Sequence, residues 1–168
     1  MVEHSSQDLA GKVALITGAG RGIGRAIARN LAIRGCGILG TCTTEHSRSH
    51  ILSLSEEIKE YCAHTKDQCP LITSLVLSLE NPEAATITAD AVREHFGSYI
   101  DIFVSNAALV DRTPVGGLDP ASVSRMLVGN IQTPAMIIDE LVRRKYFRHG
   151  SRIIFISSAE SSRCAPEA

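Results

Sequence analysis

The sequence predicts an α/β fold built on a doubly wound parallel sheet of about five strands. Two observations predict it. Short apolar runs alternate with stretches of helical periodicity along the whole chain, and a glycine-rich turn joins the first apolar run to the first helix. Continuous apolar runs are typical of strands that helices bury on both faces. The strands are expected at Val13–Ile16, Ile38–Leu39, Leu71–Leu77, Ile100–Val104 and Ile153–Ile156.

Four helices are expected between these strands. In the first, Ile23, Ile27 and Leu31 share one face, which we expect to be buried. The third and the fourth each begin with a capping residue followed by proline, which suits the first helical position. The helices are expected from Gly22 to Gly35, from about Glu45 to Cys62, from Asn81 to Gly97, and from Asp119 to about Lys145.

Size and composition indicate an ordinary globular protein. A chain of 168 residues suits one domain over residues 1–168, with residues 1–10 and 159–168 expected to be flexible. A net charge of −1 provides no attraction for nucleic acid or an anionic membrane. The first residues lack the apolar core of a signal peptide, and no apolar run approaches the ~18 residues of a membrane span. We therefore expect a cytoplasmic protein with neither nucleic acid nor a membrane as partner.

The five cysteines form no CxxC pair and no even framework, so free thiols and no bound metal are expected. An alternative interpretation makes Cys62, His64 and Cys69 metal ligands, since they lie close together in the sequence. Against it, no fourth ligand follows at a spacing typical of zinc.

Glycines follow the first strand directly and precede the first helix, at Gly18, Gly22 and Gly24. In this context the main-chain N–H groups of the turn and the positive end of the helix dipole face the same point. The sequence therefore predicts a phosphate-binding turn. Plain turn or cap chemistry is the alternative for each glycine.

The turn departs from the G-x-G-x-x-G dinucleotide fingerprint, because each possible start puts Ile23, Arg25 or Ile27 where the third glycine is needed. The string from Thr17 to Gly24 instead resembles T-G-x-x-x-G-x-G, the cofactor turn of the short-chain dehydrogenase/reductase family. The longer string TGAGRGIGRAIA is similar to the β-ketoacyl-carrier-protein reductase branch. The resemblance implies a Rossmann-type fold and makes these residues cofactor-binding: Thr17, Gly18, Gly20, Arg21, Gly22, Ile23 and Gly24.

The end of the second strand indicates which coenzyme is bound. In NAD-preferring dinucleotide folds an acid there binds the ribose 2′-hydroxyl, and it would repel the 2′-phosphate of NADP. Here Gly40-Thr41-Cys42-Thr43-Thr44 contains no acid, and Arg21 offers a positive fork suited to phosphate. The resemblance assigns the 2′-phosphate to Arg21 and Thr43, with Arg48 as a second candidate. NADP(H) is expected in preference to NAD(H), although Arg21 has an alternative interpretation as a plain surface arginine.

Two further segments match the family by position. The fourth strand is followed by Asn106-Ala107-Ala108, where the family has N-A-G, so only Ala108 departs. The third strand is followed by Ser78-Leu79, where the family usually places Asp-Val. The resemblance implies that Asn106, Ala107 and Ala108 lie against the ribose, and that Ser78 and Leu79 lie against the adenine.

Asn130 stands inside the expected fourth helix, where asparagine is usually a tolerated surface residue. Pro134 cannot donate to the carbonyl four residues earlier, and its ring pushes that carbonyl aside. The carbonyl concerned belongs to Asn130. In the family, the matching asparagine uses this carbonyl to hold a water in the proton relay.

The fifth strand leads into Ser157 and Ser158, at the end of a parallel strand where ligands bind in open α/β sheets. By resemblance Ser158 donates a hydrogen bond to the substrate carbonyl oxygen; Ser157 is the alternative. The implied reaction is hydride transfer between a nicotinamide and a ketone or alcohol, with a 3-oxoacyl or polyketide-like carbonyl as substrate.

The family places a Tyr-x-x-x-Lys pair about a dozen residues beyond this serine, and Ala168 comes earlier. None of Tyr61, Tyr99 and Tyr146 is followed by lysine four positions later. We therefore expect a C-terminally incomplete domain in which proton transfer is slower by about 10²–10⁴-fold, and whose fifth strand is an open apolar edge. The alternative is a non-catalytic NADP(H)-binding half-domain that pairs with another subunit. The resemblance also implies a possible homo-oligomer through helix 119–145.

Overall fold

The computed structural model of the protein describes residues 7–111, 113 and 116–158. Within this part of the chain, strands and helices alternate from the first strand to the last. The strands are β1 (Val13–Ile16), β2 (Gly37–Cys42), β3 (Ile72–Val76), β4 (Ile100–Ser105) and β5 (Phe147–Phe155). The helices are α1 (Gly22–Ile33), α2 (Glu45–Thr65), α3 (Ala84–Phe96), α4 (Pro120–Leu127) and α5 (Thr133–Arg143), with a π-helical turn at Val128–Gln132 between the last two.

The five described strands form one parallel sheet in the order β3-β2-β1-β4-β5. The chain winds outward from β1 to β3, then returns to the other side of β1 to form β4 and β5. This confirms the predicted Rossmann-type, doubly wound α/β fold. The reversal leaves a crevice between the carboxyl ends of β1 and β4, the place where open α/β sheets bind ligands.

Each face of the sheet carries its own apolar core. Alternate residues of β1 pack into different cores, because successive side chains of a strand point to opposite faces of the sheet. Ala14 and Ile16 pack in the core shared with α1 and α2, whereas Val13 and Leu15 pack in the core shared with α3 and α5. The fully buried side chains of this second core include Phe103, Val92, Ile137 and Leu141.

The buried face of α1 differs from the prediction. Ile23 is 61% exposed, and the buried stripe consists of Gly24, Ala28 and Ala32. Small side chains on this stripe let the helix axis approach the sheet closely, so the larger Ile27 and Leu31 sit half-buried beside the contact. The expectation that Ile23 faces the core is wrong.

The expected single helix from Asp119 to Lys145 is interrupted. Asp119 caps α4 as expected, its carboxylate accepting from the Ser122 N–H at 3.0 Å. The chain then widens into the π-helical turn before α5 resumes at Thr133. Pro134 offers no N–H to the carbonyl of Asn130, so the regular hydrogen-bond ladder cannot continue there.

Strand β5 is longer than expected and is not buried on both faces. It lies at the edge of the sheet, and Ile153, Ile154 and Phe155 are all exposed. The prediction of burial is wrong for β5, because these three side chains lie exposed at the edge of the sheet. The predicted open apolar edge is present.

A buried carboxylate near the amino end of β4 ties three parts of the chain together. Asp101 accepts hydrogen bonds from the Val13 N–H at 3.0 Å, from Lys12 Nζ at 3.1 Å and from Arg148 Nε at 2.9 Å. Burial acts to raise the pKa of Asp101, but these donors outweigh it and hold the pKa below its ordinary value. The sequence patterns did not point to this cluster.

Residues 7–10, part of the segment expected to be flexible, are held in place. Leu9 packs against the core and donates its N–H to the Arg34 carbonyl oxygen at 2.9 Å. Asp8 forms an ion pair with Arg34, and Gln7 donates to the Gln68 carbonyl oxygen at 2.7 Å. The other residues expected to be flexible, 1–6 and 159–168, lie outside the described residues.

The described cysteines neither pair with one another nor belong to a group of metal ligands. Cys36, Cys42, Cys62 and Cys69 are free thiols, as expected, and Cys164 lies outside the described residues. Among the described residues, no three His, Cys, Asp or Glu side chains are grouped so that they could hold a metal ion. In the same part of the chain, no helix combines the length and apolar character needed to cross a bilayer.

Candidate nucleotide-binding site

The turn between β1 and α1 requires glycine at two positions. Gly18 has φ +69°, in the left-handed region, and an added Cβ would lie 3.1 Å from the Ala107 Cβ. At Gly24, an added Cβ would overlap the Gly18 carbonyl oxygen and approach Asn106 Nδ2 to 2.5 Å. The first turn of α1 therefore lies directly against the preceding loop, in the manner of a phosphate-binding turn.

Hydrogen bonds from the residues that follow β1 and β4 hold this turn in place. Thr17 Oγ1 accepts from the N–H groups of Asn106 and Ala107, at 2.9 and 3.0 Å. In return, Asn106 Nδ2 donates to the carbonyl oxygens of Thr17 and Gly18, at 3.0 and 3.2 Å. These side-chain hydrogen bonds hold the turn against the segment that follows β4. That Thr17 and Asn106 also bind the cofactor stays a prediction.

Main-chain donors at the start of α1 give the site its preference for anions. The N–H groups of Gly18 and Ala19 are already used by Thr41, through its Oγ1 at 3.3 Å and its carbonyl oxygen at 3.0 Å. The first helical turn contains Gly22, Ile23 and Gly24. Their N–H groups have no acceptor within the helix, because the residues four positions earlier lie outside it. They and the helix dipole favour a phosphate.

Basic and hydroxyl side chains surround the other end of this turn. Arg21 is exposed at the N-cap of α1, and Thr43 is exposed just after β2. Thr44 caps α2, its Oγ1 accepting from the Ser47 N–H at 3.1 Å. Arg48 donates to Ser74 Oγ at 3.1 Å and lies 3.4 Å from Glu45, the first acid after β2. Glu45 is thus paired with a cation.

The segment after β3 is anchored from α5. Leu79 is buried, and its carbonyl oxygen accepts from Thr133 Oγ1 at 2.6 Å. Ser78 is exposed, and its Oγ accepts from the Glu80 N–H at 3.2 Å. Glu80 forms an ion pair with Arg125 of α4 at 2.6 Å. This segment therefore has a defined shape at the carboxyl edge of the sheet.

Asn130 is tied to the segment that follows β4. Its Oδ1 accepts from the Leu109 N–H, and its Nδ2 donates to the Leu109 carbonyl oxygen, both at 2.7 Å. The sequence pointed to the Asn130 carbonyl but not to this use of the side chain, because nothing in the sequence pairs residues 109 and 130. Asn130 also lines an open, largely apolar cavity of about 620 Å³ together with Ile131, Ile138 and Phe155.

The residues after β5 reach the same edge of the sheet. The Ile156 N–H donates to the Ser105 carbonyl oxygen at 2.9 Å, so the chain continues alongside the end of β4. Ser157 and Ser158 follow and are exposed, as is Ala108 on the β4 side. The structure thus brings the residues after β1, β4 and β5 to one edge, with Thr43 on the β2 side of β1.

A phosphate-binding turn at the topological switch point of a doubly wound sheet defines a dinucleotide-binding domain of the Rossmann type. Residues 12–167 match the family model of the short chain dehydrogenases. The chain belongs to this family.

Three known proteins illustrate the similarity. Versicolorin reductase of Emericella nidulans is 36% identical over 162 residues, which are 96% of this chain and 57% of that protein. The 3-oxoacyl-(acyl-carrier-protein) reductase FabG of Escherichia coli is 29% identical over 88% of this chain and 55% of that protein. The crystal structure of the angucycline C-6 ketoreductase LanV with bound NADP superposes with a TM-score of 0.81 at 28% identity, covering 97% of this chain and 61% of that one. The chain thus spans little more than half the length of these curated relatives.

Proposed function

We propose that this chain is the coenzyme-binding part of an NADP(H)-dependent reductase that transfers hydride between the nicotinamide and a ketone or alcohol. The observation that carries the proposal is the close packing of Gly24 on Gly18 and Asn106, which presents the amides of α1 at the switch point of the sheet. NADP(H) supplies the hydride in such a reaction. Every other contribution comes from the residues of the chain.

The proposed coenzyme contacts follow the edge of the sheet. The amides of the turn that contains Gly20, Gly22 and Ile23 bind the pyrophosphate. Arg21 and Thr43 bind the 2′-phosphate, in keeping with the absence of a free acid after β2. Ala107 and Ala108 lie against the ribose next to Asn106, and Ser78 and Leu79 lie against the adenine. The NADP-bound ketoreductase structure supports the choice of NADP(H) over NAD(H).

The proposed substrate contacts come from Ser158 and Asn130. Ser158 donates its hydroxyl proton as a hydrogen bond to the carbonyl oxygen and so orients the carbon for hydride transfer. The main-chain carbonyl of Asn130 holds a water for the proton relay. An apolar ketone of the 3-oxoacyl or polyketide-like class suits the apolar cavity beside Asn130, and the names of the three similar proteins are all those of reductases.

A second candidate function is that of a non-catalytic NADP(H)-binding half-domain which pairs with another subunit. One observation favours it: β5 lies at the edge of the sheet and presents exposed apolar side chains there. A homo-oligomer through residues 119–145 is the pairing that we propose, since α5 exposes Met136 and Val142. We also propose a cytoplasmic location, which the free thiols support because reducing compartments keep cysteines unpaired.

Calorimetric titration of the purified chain with NADPH, and with NADH for comparison, tests the coenzyme site. Addition of a small apolar ketone to the NADPH complex, followed by the absorbance of the reduced nicotinamide, then separates the two functions. Steady oxidation supports the reductase, and tight binding without oxidation supports the half-domain. Failure to bind either coenzyme would overturn both.

A further inference from the structure

Two thiols meet where α2 leads into β3, on the side of the fold away from the coenzyme site. Cys62 lies in the last turns of α2 and is only 4% exposed, whereas Cys69 is exposed in the connection. Both thiols lie against carbonyl oxygens of the same short connection, and Cys69 Sγ is 3.7 Å from the carbonyl oxygen of Pro70. Cys62 Sγ also lies 3.9 Å from the carbonyl oxygen of Gln68, the residue bonded to Cys69.

The connection that carries Cys69 has a defined conformation. Lys66 ends α2 in the left-handed region, with φ 60°, which turns the chain back toward the helix. Gln7 donates to the Gln68 carbonyl oxygen at 2.7 Å, and the Ile38 N–H donates to the Leu71 carbonyl oxygen at 2.8 Å. Both ends of the connection are therefore held, and Cys69 is kept beside Cys62.

Small molecules can reach this pair from one side. A cavity of about 270 Å³ is lined by Gln7, Gln68, Cys69 and Pro70, together with Phe96 and other residues. Because Cys69 is exposed and Cys62 is buried behind it, a reagent meets Cys69 first.

Metal binding does not account for the pair. His64, the third residue of the possible ligand set, has its Nδ1 2.6 Å from the Glu60 carbonyl oxygen within the same helix. Among the described residues, no third metal-ligating side chain joins the two thiols.

We propose that Cys62 and Cys69 form a reversible disulfide, with a low-molecular-weight disulfide such as oxidised glutathione as the oxidant. Cys69 is the thiol that reacts first, and Cys62 is the resolving thiol. The proposal does not depend on the coenzyme or on catalysis, so its test is separate from those of the proposed function.

The exchange proceeds in two balanced steps. The Cys69 thiolate attacks one sulfur of oxidised glutathione, which breaks the glutathione disulfide, forms a mixed disulfide at Cys69 and releases one glutathione thiolate. The Cys62 thiolate then attacks Sγ of Cys69 and expels the second glutathione thiolate. Overall, two cysteines are oxidised, one glutathione disulfide is reduced to two thiols, and the two cysteine protons pass to the released thiolates.

The surroundings of Cys62 explain this order. Burial, and after it the neighbouring Cys69, raise the pKa of the Cys62 thiol to about 11. Cys62 is therefore a poor first nucleophile.

The test follows the disulfide directly in the full chain. The protein is equilibrated in glutathione redox buffers, quenched by alkylation and digested with trypsin. Cleavage after Lys59, Lys66 and Arg93 separates the peptide that contains Cys62, residues 60–66, from the one that contains Cys69, residues 67–93. The expected result is that these peptides are joined under oxidising conditions and separate again after treatment with dithiothreitol.

Single variants check the order of the steps. Cys62→Ser is expected to accumulate glutathione on Cys69, Cys69→Ser is expected to give neither the link nor glutathione on Cys62, and Cys42→Ser is the matched control that leaves the link unchanged. Separately alkylated peptides at every redox poise, with the circular dichroism of a folded protein, would overturn the proposal. So would equal linkage of Cys69 to Cys36, Cys42 or Cys164.

Discussion

The side-chain amide of Asn130 pairs with the main chain of Leu109 through two hydrogen bonds of 2.7 Å, one accepted and one donated. A two-point contact fixes direction as well as distance, so the π-helical turn and the segment after β4 hold each other in one orientation. Between them there is no room for a side chain at Gly129, where an added Cβ would lie 2.5 Å from Leu109 Cδ1. The position of the Asn130 carbonyl therefore depends on Leu109.

We expect Asn130→Ala to destabilise the fold by about 1–3 kcal/mol, because it leaves both partly buried polar groups of Leu109 without their partners. Urea denaturation measures this free energy of unfolding. Gln132→Ala, in the same π-helical turn and exposed, is the matched control and should stay within about 0.5 kcal/mol of the unmodified protein. Equal stability of the two variants would contradict the structural role of the pair.

Gly24→Ala is expected to weaken NADPH binding by about tenfold or more, equivalent to about 1.4 kcal/mol. The added methyl group must displace α1 from Gly18 and Asn106, and the amides of the turn move with it. Calorimetry measures the affinity, at a temperature where circular dichroism shows both proteins folded. Ala26→Ser, on the exposed side of the same helix, should bind as the unmodified chain does. If Gly24→Ala retained full affinity, this turn would not be the phosphate site.

Arg21→Ala is expected to reduce the affinity for NADPH while leaving the affinity for NADH nearly unchanged. The loss should amount to about 1.5–3 kcal/mol, since charge-assisted hydrogen bonds to the 2′-phosphate disappear. The ratio of the two affinities, measured by titration, reports the effect. Arg93→Ala removes the same charge from an exposed position on α3 and should not alter the ratio. If Arg21→Ala left the ratio of the NADPH and NADH affinities unchanged, Arg21 would be a surface arginine that does not bind the 2′-phosphate.

Asp101 should make stability depend on pH in acid. Its pKa is lower in the folded protein than its ordinary value of 3.8, so its contribution is complete above that value. The contribution is lost as the pH falls further, through the lower pKa of the folded state. Asp101→Asn should remove this dependence and cost about 1.5–3 kcal/mol at neutral pH, because the buried carboxylate loses its charge-assisted hydrogen bonds from Lys12 and Arg148.

Urea denaturation at neutral pH, and again below pH 3.8, measures both effects of Asp101→Asn. Glu56→Gln, which breaks an exposed pair with Lys59, is the control and should change stability by no more than about 1 kcal/mol. A neutral result for Asp101→Asn would mean that the cluster stabilises nothing.

Val142→Glu is expected to shift an assembly of this chain toward monomer, because it places a charge on the exposed apolar face of α5. Sedimentation velocity at several concentrations measures the state. Leu52→Glu, on an exposed position of α2, introduces the same charge elsewhere and should leave the assembly unchanged. A monomer in the unmodified chain, or equal behaviour of both variants, would refute pairing through residues 119–145.

The strand–turn–helix arrangement around Gly18 could be predicted from the sequence because its determinants are local. An apolar run, three spaced glycines and a helical stretch define it within about twenty residues. The same holds for the capped start of α4 at Asp119 and for the alternation that gives a parallel sheet. Membership of the short chain dehydrogenase family, inferred from this turn, is confirmed.

The sequence-based expectations are wrong or incomplete where tertiary packing determines which side chains are buried and which groups pair. Ile23 fits a helical apolar stripe, yet the sheet selects the smaller side chains of Gly24, Ala28 and Ala32 so that the helix can approach closely. The side chain of Asn130 is directed by a residue 21 positions away, and no periodicity encodes that distance. In the buried cluster, Asp101 is bonded to Lys12, which lies 89 positions away in the sequence.

The sequence by itself determined the class of fold, the phosphate-binding turn and the absence of an acid after β2, because these depend on neighbours along the chain. Only the tertiary structure decided that Thr17 and Asn106 hold the turn, that Asn130 pairs with Leu109, and that Cys62 Sγ lies near the main chain next to Cys69. Such contacts depend on how elements pack in three dimensions, where the closest partner of a side chain is set by the shape of the sheet and not by its distance along the chain.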